Sequence, residues 1–430
     1  MTLTRARPGR WALARRLCVI AAIVARALAR LASGWATRWL GARVTGRPAP
    51  GPALFADALA TLVEDLGPAY VKVAQILGTR ADLLPRHVCD ALARLYDKVR
   101  PPPATAALRA VPAALVAGVE GGTGGLTPLA AGSIACVFRG RLRSGETVAV
   151  KVRRPGAVRA LSLDLALLES AARLAGRLPR LRGIPLGAVT AQLGDAIYQQ
   201  LDLAREAEDL AALRSDLAVL PAVRVPAVLA AWSGPDALVL EYLPGLERTR
   251  TPPAAEELYP SAVAAMRACF HMLFLAGLVH CDMHPGNLYL LPGGSCVLLD
   301  AGFARRLAPY ARRHFADFFY AMSRGDGARC ADIVLGTATA VLADADEAGF
   351  RRDLTKLVED HSGLAVRDFD LVGFTARLFD LQRRHGFAAD PQFVFPILAL
   401  LVLEGTLKQL CPDVNFQREA LPYVLRGLMT

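Results

Sequence analysis

The residues best suited to chemistry are His280-Cys281-Asp282-Met283-His284-Pro285-Gly286-Asn287, followed after a short hairpin by Leu298-Leu299-Asp300-Ala301-Gly302. Asp282 and Asn287 stand five residues apart, and Asp300 closes the next strand. Phosphoryl transfer needs a carboxylate near the attacking hydroxyl, plus oxygen ligands that hold Mg²⁺ against a triphosphate and neutralise the developing charge. Asp282 suits the first task, Asn287 and Asp300 the second. A plainer reading makes His280, Asp282 and His284 the caps of a turn, since polar residues beside Pro-Gly-Asn are common in loops. The partner that follows favours phosphoryl transfer: Ser295-Cys296-Val297-Leu298-Leu299 reads as a short buried strand that delivers Asp300 to the same place.

Such a site needs elements to hold the nucleotide. Leu129-Ala130-Ala131-Gly132-Ser133-Ile134 is a small-residue turn running into an alternating strand, and Thr147-Val148-Ala149-Val150-Lys151-Val152 is a second strand with a lysine in it. Small residues at Ala130, Ala131, Gly132 and Ser133 let backbone N–H groups approach phosphates, and Lys151 aimed at the same pocket can hold the α and β phosphates. The turn alone would read as an ordinary hairpin. A strand lysine also needs a helix glutamate to orient it, and Glu206, in a predicted helical stretch over 158–213, is the candidate. Its neighbours Glu208 and Asp209 leave a solvated helix face as the alternative. Ala237-Leu238-Val239-Leu240 followed by Glu241-Tyr242-Leu243 reads as a hinge where backbone groups at Glu241 and Leu243 meet the adenine edge.

Further upstream, Lys72 and Gln75 lie one turn apart in a helical pattern over 53–98, so both can project toward one site. Taken alone, they read as residues of a solvated face. Downstream, a helix over 261–277 precedes the catalytic loop, and amphipathic helices follow from Tyr310. Phe393 to Leu403 is strongly apolar but contains Pro396 and ends at Glu404, which predicts a core helix.

With 430 residues, 53% of them hydrophobic, the chain can bury a bilobal core and is neither disordered nor collagen-like. Its eight cysteines form no CxxC pair, which argues against a zinc site or a disulfide framework and fits a reducing compartment. The net charge of +11 is concentrated: residues 1–50 hold ten arginines and no Lys, Asp or Glu, which leaves about +1 for the rest. A nucleic-acid-binding core is therefore not expected. The arm interleaves those arginines with Trp11, Leu17, Ile20, Ile23, Leu28, Trp35 and Trp39, a composition suited to lying on an anionic membrane surface. The apolar run 17–25 is too short to span a bilayer, and Arg26 and Arg30 interrupt its continuation, so no transmembrane helix is predicted. A transit peptide and a solvated basic tail stay open as alternatives.

With these pieces placed, the sequence resembles the UbiB (AarF) family of atypical kinase-like proteins, bacterial and organellar proteins linked to ubiquinone biosynthesis. The resemblance spans roughly residues 53–416. It rests on the Lys72 to Gln75 region, the Ala-rich loop, Val-Ala-Val-Lys151, the Asp202…Glu206-Ala207 helix, the His280 to Asn287 loop, Asp300, and Glu404-Gly405…Cys411-Pro412-Asp413-Val414-Asn415-Phe416. It implies an α+β class: a bilobal protein-kinase-like fold with a mainly β N-lobe, a helical C-lobe and a family-specific N-terminal helical extension. The expected boundaries are 1–52 for the arm and linker, 53–103 for the extension, 104–245 for the N-lobe and 246–430 for the C-lobe. Implied with it are ATP and Mg²⁺, ATPase or unorthodox kinase activity in quinone or related lipid metabolism, isoprenoid-lipid or quinone-pathway partners, and a cytoplasmic chain peripheral to the inner membrane. In the family, the extension lysine engages carboxylates of the nucleotide pocket and restrains ordinary kinase chemistry.

The sequence departs from that pattern at Ala74 (Gly in Lys-x-Gly-Gln), Gly132 (within the alanine run), Gln200 (usually Glu) and Ala301 (Phe of Asp-Phe-Gly). It is also expected to lack the paired C-terminal membrane helices of many bacterial members. Little room separates Asp300 from the helix near Tyr310 and no Ala-Pro-Glu follows, which argues against a peptide-docking activation segment. The competing readings are a small-molecule phosphotransferase of aminoglycoside-kinase type and a nucleotide-binding pseudokinase scaffold without turnover.

Overall fold

Burial alternates strictly along Thr147–Arg153, with Val148, Val150 and Val152 buried and Lys151 and Arg153 on the opposite face. Such a segment can only be a strand with one face on a core. It is an inner strand of a four-stranded antiparallel sheet whose other members are Thr127–Ala131, Ala135–Arg141 and Ala237–Glu241. The computed structural model describes residues 8–45, 52–78, 88, 91–92, 107–132, 134–176, 186–246, 253–361, 371–411 and 416–429. Residues 46–51, at the end of the segment expected to hold arm and linker (1–52), lie outside these, as do residues 412–415 of the late motif.

The chain divides into two compact units, Met1–Ala207 with Val228–Tyr242, and Glu208–Ala227 with Leu243–Thr430. In the first, the buried face of the sheet packs Phe138, Val150 and Val239 against Leu115 and Val119 from and beside the short helix Ala113–Gly118. Trp232 closes this core so tightly over Gly118 that an added Cβ would meet its ring at 2.3 Å. Helices Ala157–Ala175, Leu186–Gln199 and Leu203–Asp216 follow the sheet's third strand in sequence. Helix Pro68–Gly78 packs on the first two of these. Ala74 is buried in the cluster of Val63, Val71, Val88 and Leu92, so its methyl is core packing.

The N-terminal arm is one continuous helix, Arg10–Thr45, and its apolar stretch, expected to stop at Arg26 and Arg30, runs on through both. Arginine is a good helix former, so its charge breaks a run of apolar residues without ending a helix. The 28-residue stretch Arg10–Thr37 is long and apolar enough to cross a membrane by length and composition, and none of its most apolar window is buried. Trp11, Leu17, Leu28 and Trp35 are exposed on it.

The second unit is largely helical. Ala255–His271 and the wider turn Met272–Ala276 form its centre, with Ala262, Ala265, Cys269 and Phe274 fully buried. Against this lie a three-stranded sheet, Val223–Arg224, Ser295–Leu298 and Leu288–Leu291, and the pair Leu278–His280 with Ala304–Arg306. Helices Pro309–Ser323, Gly327–Gly336, Glu347–His361, Leu371–Arg384, Pro391–Leu410 and Phe416–Met429 complete it. Pro391–Leu410 buries Leu398, Ala399, Leu400, Leu403 and Leu407, as expected of a core helix.

Candidate active site

In the first unit, Lys151 Nζ donates to both Glu206 oxygens, at 2.7 and 2.8 Å. Glu206 is 2% exposed, so the pair is a charge-assisted contact shielded from water. Local sequence explains how the glutamate arrives there. Asp202 precedes the helix Leu203–Asp216, and its Oδ1 accepts from the Arg205 N–H at 3.2 Å, which caps the first turn and fixes Glu206 in it. Arg153, two residues beyond Lys151 on the same strand face, donates through Nη1 to the Leu201 carbonyl at 2.9 Å and pairs with Asp236. The turn before the capped helix is thereby tied to the strand that carries the lysine. Sequence reasoning missed both supports. The signals were present: an Asp immediately before a helix, and a second cation at strand period from the first.

The small-residue turn is a hairpin in which Ala131 faces Cys136 and the Gly132 N–H donates to the Ala135 carbonyl at 2.8 Å. Ala130 is exposed. Ser133 and the Ala131 side chain lie outside the described residues. A Cβ at Gly132 would meet only Ala135 O, at 3.5 Å, an ordinary contact, so the fold does not demand glycine there. Glu241 ends its strand opposite Val148, while Leu243 is buried in the second unit.

Lys72 is 8% exposed, which excludes a solvated face for it. Gln75 lies on the same helix, Pro68–Gly78, and its side chain is outside the described residues. Gln200 is buried, and its Nε2 has no hydrogen-bond partner among the described residues.

In the second unit, Asp282, Asn287 and Asp300 are joined through His280, which is fully buried. His280 Nδ1 accepts the Asp282 N–H at 3.2 Å, so Nε2 carries the proton and donates to the Leu299 carbonyl at 2.9 Å. One imidazole thus holds the loop at Asp282 and the strand end one residue before Asp300. Asn287 Nδ2 donates to the Asp282 carbonyl at 3.0 Å, and the Leu299 N–H donates to the Asn287 carbonyl at 2.8 Å. With the amide nitrogen so used, Asn287 Oδ1 is the side-chain atom able to ligate a cation.

From a distant helix, Thr406 Oγ1 donates to the Met283 carbonyl at 3.1 Å. Gly286 folds so closely over His284 that a Cβ would meet its ring at 2.5 Å. His284 Nε2 stands 3.9 Å from Asp282 Oδ2.

Asp300 is the single non-glycine residue with positive φ among the described residues, at +56°, and its Oδ1 accepts the Gly302 N–H at 3.1 Å. Such a conformation persists only where the surroundings enforce it and tends to cluster at functional sites. Ala301 is buried without a ring, and Phe303 packs edge-on against Phe395 with centroids 5.7 Å apart.

Among the described residues no cluster of three or more His, Cys, Asp or Glu could hold a metal. Asn287 and Asp300 fit Mg²⁺ in another way, because that ion is commonly held by one or two protein oxygens together with substrate phosphates and water. Cys281, beside Asp282, is pushed up to about 12 by burial and stays a thiol, so it supplies no nucleophile.

Three relatives and one family description bear on this geometry. The ABC1 atypical kinase-like domain matches residues 125–334. A "Probable protein kinase UbiB" of Pseudomonas aeruginosa strain PAO1 is 31% identical over 407 residues, covering 92% of this chain and 76% of the relative. Those of Azotobacter vinelandii and Pseudomonas fluorescens Pf-5 are each 30% identical, over 401 and 376 residues, with 73% and 70% of the relative covered. A solved structure described as "The complex structure of Rv3197-erythromycin from Mycobacterium tuberculosis" aligns over 84% of this chain and 96% of its own, with TM-score 0.49 and 19% identity. Identity of this level sustained over most of both sequences makes the chain a member of the UbiB/AarF family of atypical kinase-like proteins, with the kinase-like fold of that family.

Proposed function

We propose that the chain binds ATP with Mg²⁺ and transfers the γ-phosphoryl group to water or to an acceptor of isoprenoid quinone or related lipid metabolism, at a membrane surface. The observation that carries this reading is the Lys151–Glu206 pair, with both carboxylate oxygens within 2.8 Å of one ammonium. A lysine so oriented on a strand after a small-residue hairpin suits the α and β phosphates, and Glu206 keeps it from folding back.

In the second unit, Asp282 would accept the proton of the attacking hydroxyl or water, and His280 holds its backbone in place. Asn287 Oδ1 and the Asp300 carboxylate would hold Mg²⁺. That ion supplies the positive charge that neutralises the phosphate oxygens as the bond to the leaving group breaks. The buried Lys72 belongs to the extension assigned at 53–103, and a buried lysine there favours the UbiB type over an aminoglycoside-kinase type. The helix Arg10–Thr45, with exposed tryptophans and arginines, is the membrane-facing part.

The test is ATP turnover by the full chain, with and without Mg²⁺ and anionic liposomes, beside Asp300→Asn. Mg²⁺-dependent hydrolysis that disappears in the variant supports the proposal. No turnover, together with a nucleotide-dependent rise in melting temperature, would replace it with the scaffold reading.

A further inference from the structure

We infer that His284 is a second catalytic group, which with Asp282 clamps the attacking oxygen of water or of a hydroxyl acceptor. The role deepens the phosphoryl-transfer reading and rests on Asp282 being the proton acceptor in it.

Hydrogen bonding leaves the neutral ring one tautomer. Its Nδ1 accepts the Gly286 N–H at 2.9 Å, so the proton sits on Nε2, the nitrogen that stands 3.9 Å from Asp282 Oδ2. A donor and an acceptor therefore face each other at a distance too long for a hydrogen bond between them. One oxygen atom fits that gap, because it can lie about 2.8 Å from both, an ordinary hydrogen-bond length. The two partners also select its kind. It must give a proton to the carboxylate and accept one from the imidazole, which water and a hydroxyl both do. A phosphate oxygen has no proton to give and would set its charge against the carboxylate. The side chains of His284 and Asp282 are 20% and 10% exposed, sheltered enough to strengthen both contacts.

The separation is held residue by residue. His280 accepts the Asp282 N–H, Thr406 donates to the Met283 carbonyl, and the His284 carbonyl accepts the Asn287 and Leu288 N–H groups at 2.8 and 2.9 Å. Gly286 lies against the ring, where a Cβ would meet Cε1 at 2.5 Å and Nδ1 at 2.9 Å. Capping the turn occupies Nδ1 alone and gives no reason for Nε2 to face the carboxylate. In the step itself the clamped oxygen bonds to the γ-phosphorus while the bond from that phosphorus to the β–γ bridging oxygen breaks, and its electron pair leaves with ADP. Asp282 takes the proton. His284 keeps its own: its N–H occupies one lone pair of the attacking oxygen and leaves the other for phosphorus, so it contributes orientation.

Two substitutions divide the ring, each assayed for ATP turnover in the full chain with Mg²⁺ and anionic liposomes. His284→Asn offers an oxygen to the Gly286 N–H in place of Nδ1 but nothing in place of Nε2–H. His284→Gln reaches with an amide nitrogen to where Nε2 stood. In His284→Asn kcat is expected to fall about a hundredfold, with KM for ATP and melting temperature unchanged, and His284→Gln should recover part of the loss. An undiminished rate in His284→Asn would reduce the residue to a turn cap and overturn the proposal. So would a raised KM at unchanged kcat, which would put the imidazole on the nucleotide, or an equal fall in both variants with a lowered melting temperature. Absence of Mg²⁺-dependent turnover in the unsubstituted chain would overturn the phosphoryl-transfer reading and the role of His284 with it, so the two failures are told apart.

Discussion

Arg16, in the second turn of the N-terminal helix, grips Asp164 of the helix Ala157–Ala175 with Nε to Oδ1 at 2.5 Å and Nη2 to Oδ2 at 2.9 Å. The same Nη2 donates to the carbonyl of Leu66 at the end of Pro52–Leu66, where a cation also complements the helix dipole. Burial pushes the Asp164 carboxyl up, and the guanidinium opposes that shift. Burial, with the nearby Asp164 charge, takes the Tyr70 phenol to about 12. Arg16 is thus the buried joint between the arm and the helices beside it, while Trp11 and Trp35 stay exposed.

Arg16→Ala should expose the dependence. It leaves a carboxylate whose side chain is 1% exposed without a cation, at a cost of about 2–3 kcal/mol, the low end for a buried pair because the arginine is partly exposed. The carboxyl value in the folded state lies above the unfolded one. The stability linked to its protonation is therefore full below the unfolded value, near 3.8, and is lost as pH rises through the folded value. Without the opposing guanidinium the carboxyl is pushed up further, so the melting deficit of Arg16→Ala should grow from pH 5 to pH 8, whereas Asp164→Asn, which has no carboxyl to titrate, should show no such growth. Calorimetric scans at both pH values check this; equal deficits in Arg16→Ala would rule the joint out.

For Lys151 and Glu206 the expectation is strong non-additivity. Glu206→Gln keeps the shape and removes the charge that orients the ammonium, a loss of about 1.5–3 kcal/mol for a charged hydrogen bond, or roughly ten- to a hundredfold in ATP affinity. Lys151→Met should lower the melting temperature by stranding a buried carboxylate, and adding Glu206→Gln to it should restore much of that loss. Titration calorimetry with ATP and a melting cycle over the four proteins provide the readings. Additive melting shifts would mean that the two groups do not act as a pair.

His280→Ala removes the acceptor of the Asp282 N–H and the donor to Leu299 O in a fully buried position. Two groups left unsatisfied should destabilise the chain by about 2–4 kcal/mol. Turnover should fall by about a hundredfold, since a small misplacement of a reacting group is enough for that. His280→Gln, with a donor and an acceptor of its own, should retain more of both. Steady-state kinetics beside melting curves distinguish them, and parity between the two variants would show that the imidazole does not tie loop to strand.

What could be read from the sequence was local in character. Period-two burial around Lys151, the apolar run before Asp300 and the five-residue interval from Asp282 to Asn287 are set by neighbours in the chain, so the pattern carries them. The Arg16–Asp164 joint spans 148 positions and leaves no local trace. The plainer reading of His280 as a turn cap misses its second partner, Leu299, which lies 19 residues away. The apolar run of the arm reads as ending before Arg26 because hydropathy weighs Arg26 and Arg30 as breaks. In the folded chain both approach Asp65, at 3.5 and 3.4 Å, and stay helical.

The family resemblance implies that the extension restrains the nucleotide site, and Gln200 and Gly132 are the positions at which this chain is expected to loosen that restraint. Gln200 is buried with an Nε2 unpartnered among the described residues, immediately after the helix Leu186–Gln199, against which the Lys72 helix Pro68–Gly78 packs. A glutamate at 200 would exchange that orphan donor for a carboxylate that needs a cation, and Lys72 is a buried lysine on the packed helix. Gln200→Glu should therefore lower ATP turnover or autophosphorylation severalfold while the melting temperature holds or rises. Gly132→Ala meets only an ordinary contact at 3.5 Å and should leave melting unchanged, while the loss of backbone freedom in the hairpin reduces turnover further. The double variant, assayed for phosphate release, should be the slowest of the four proteins. An unchanged or faster rate in Gln200→Glu would show that restraint does not run through position 200.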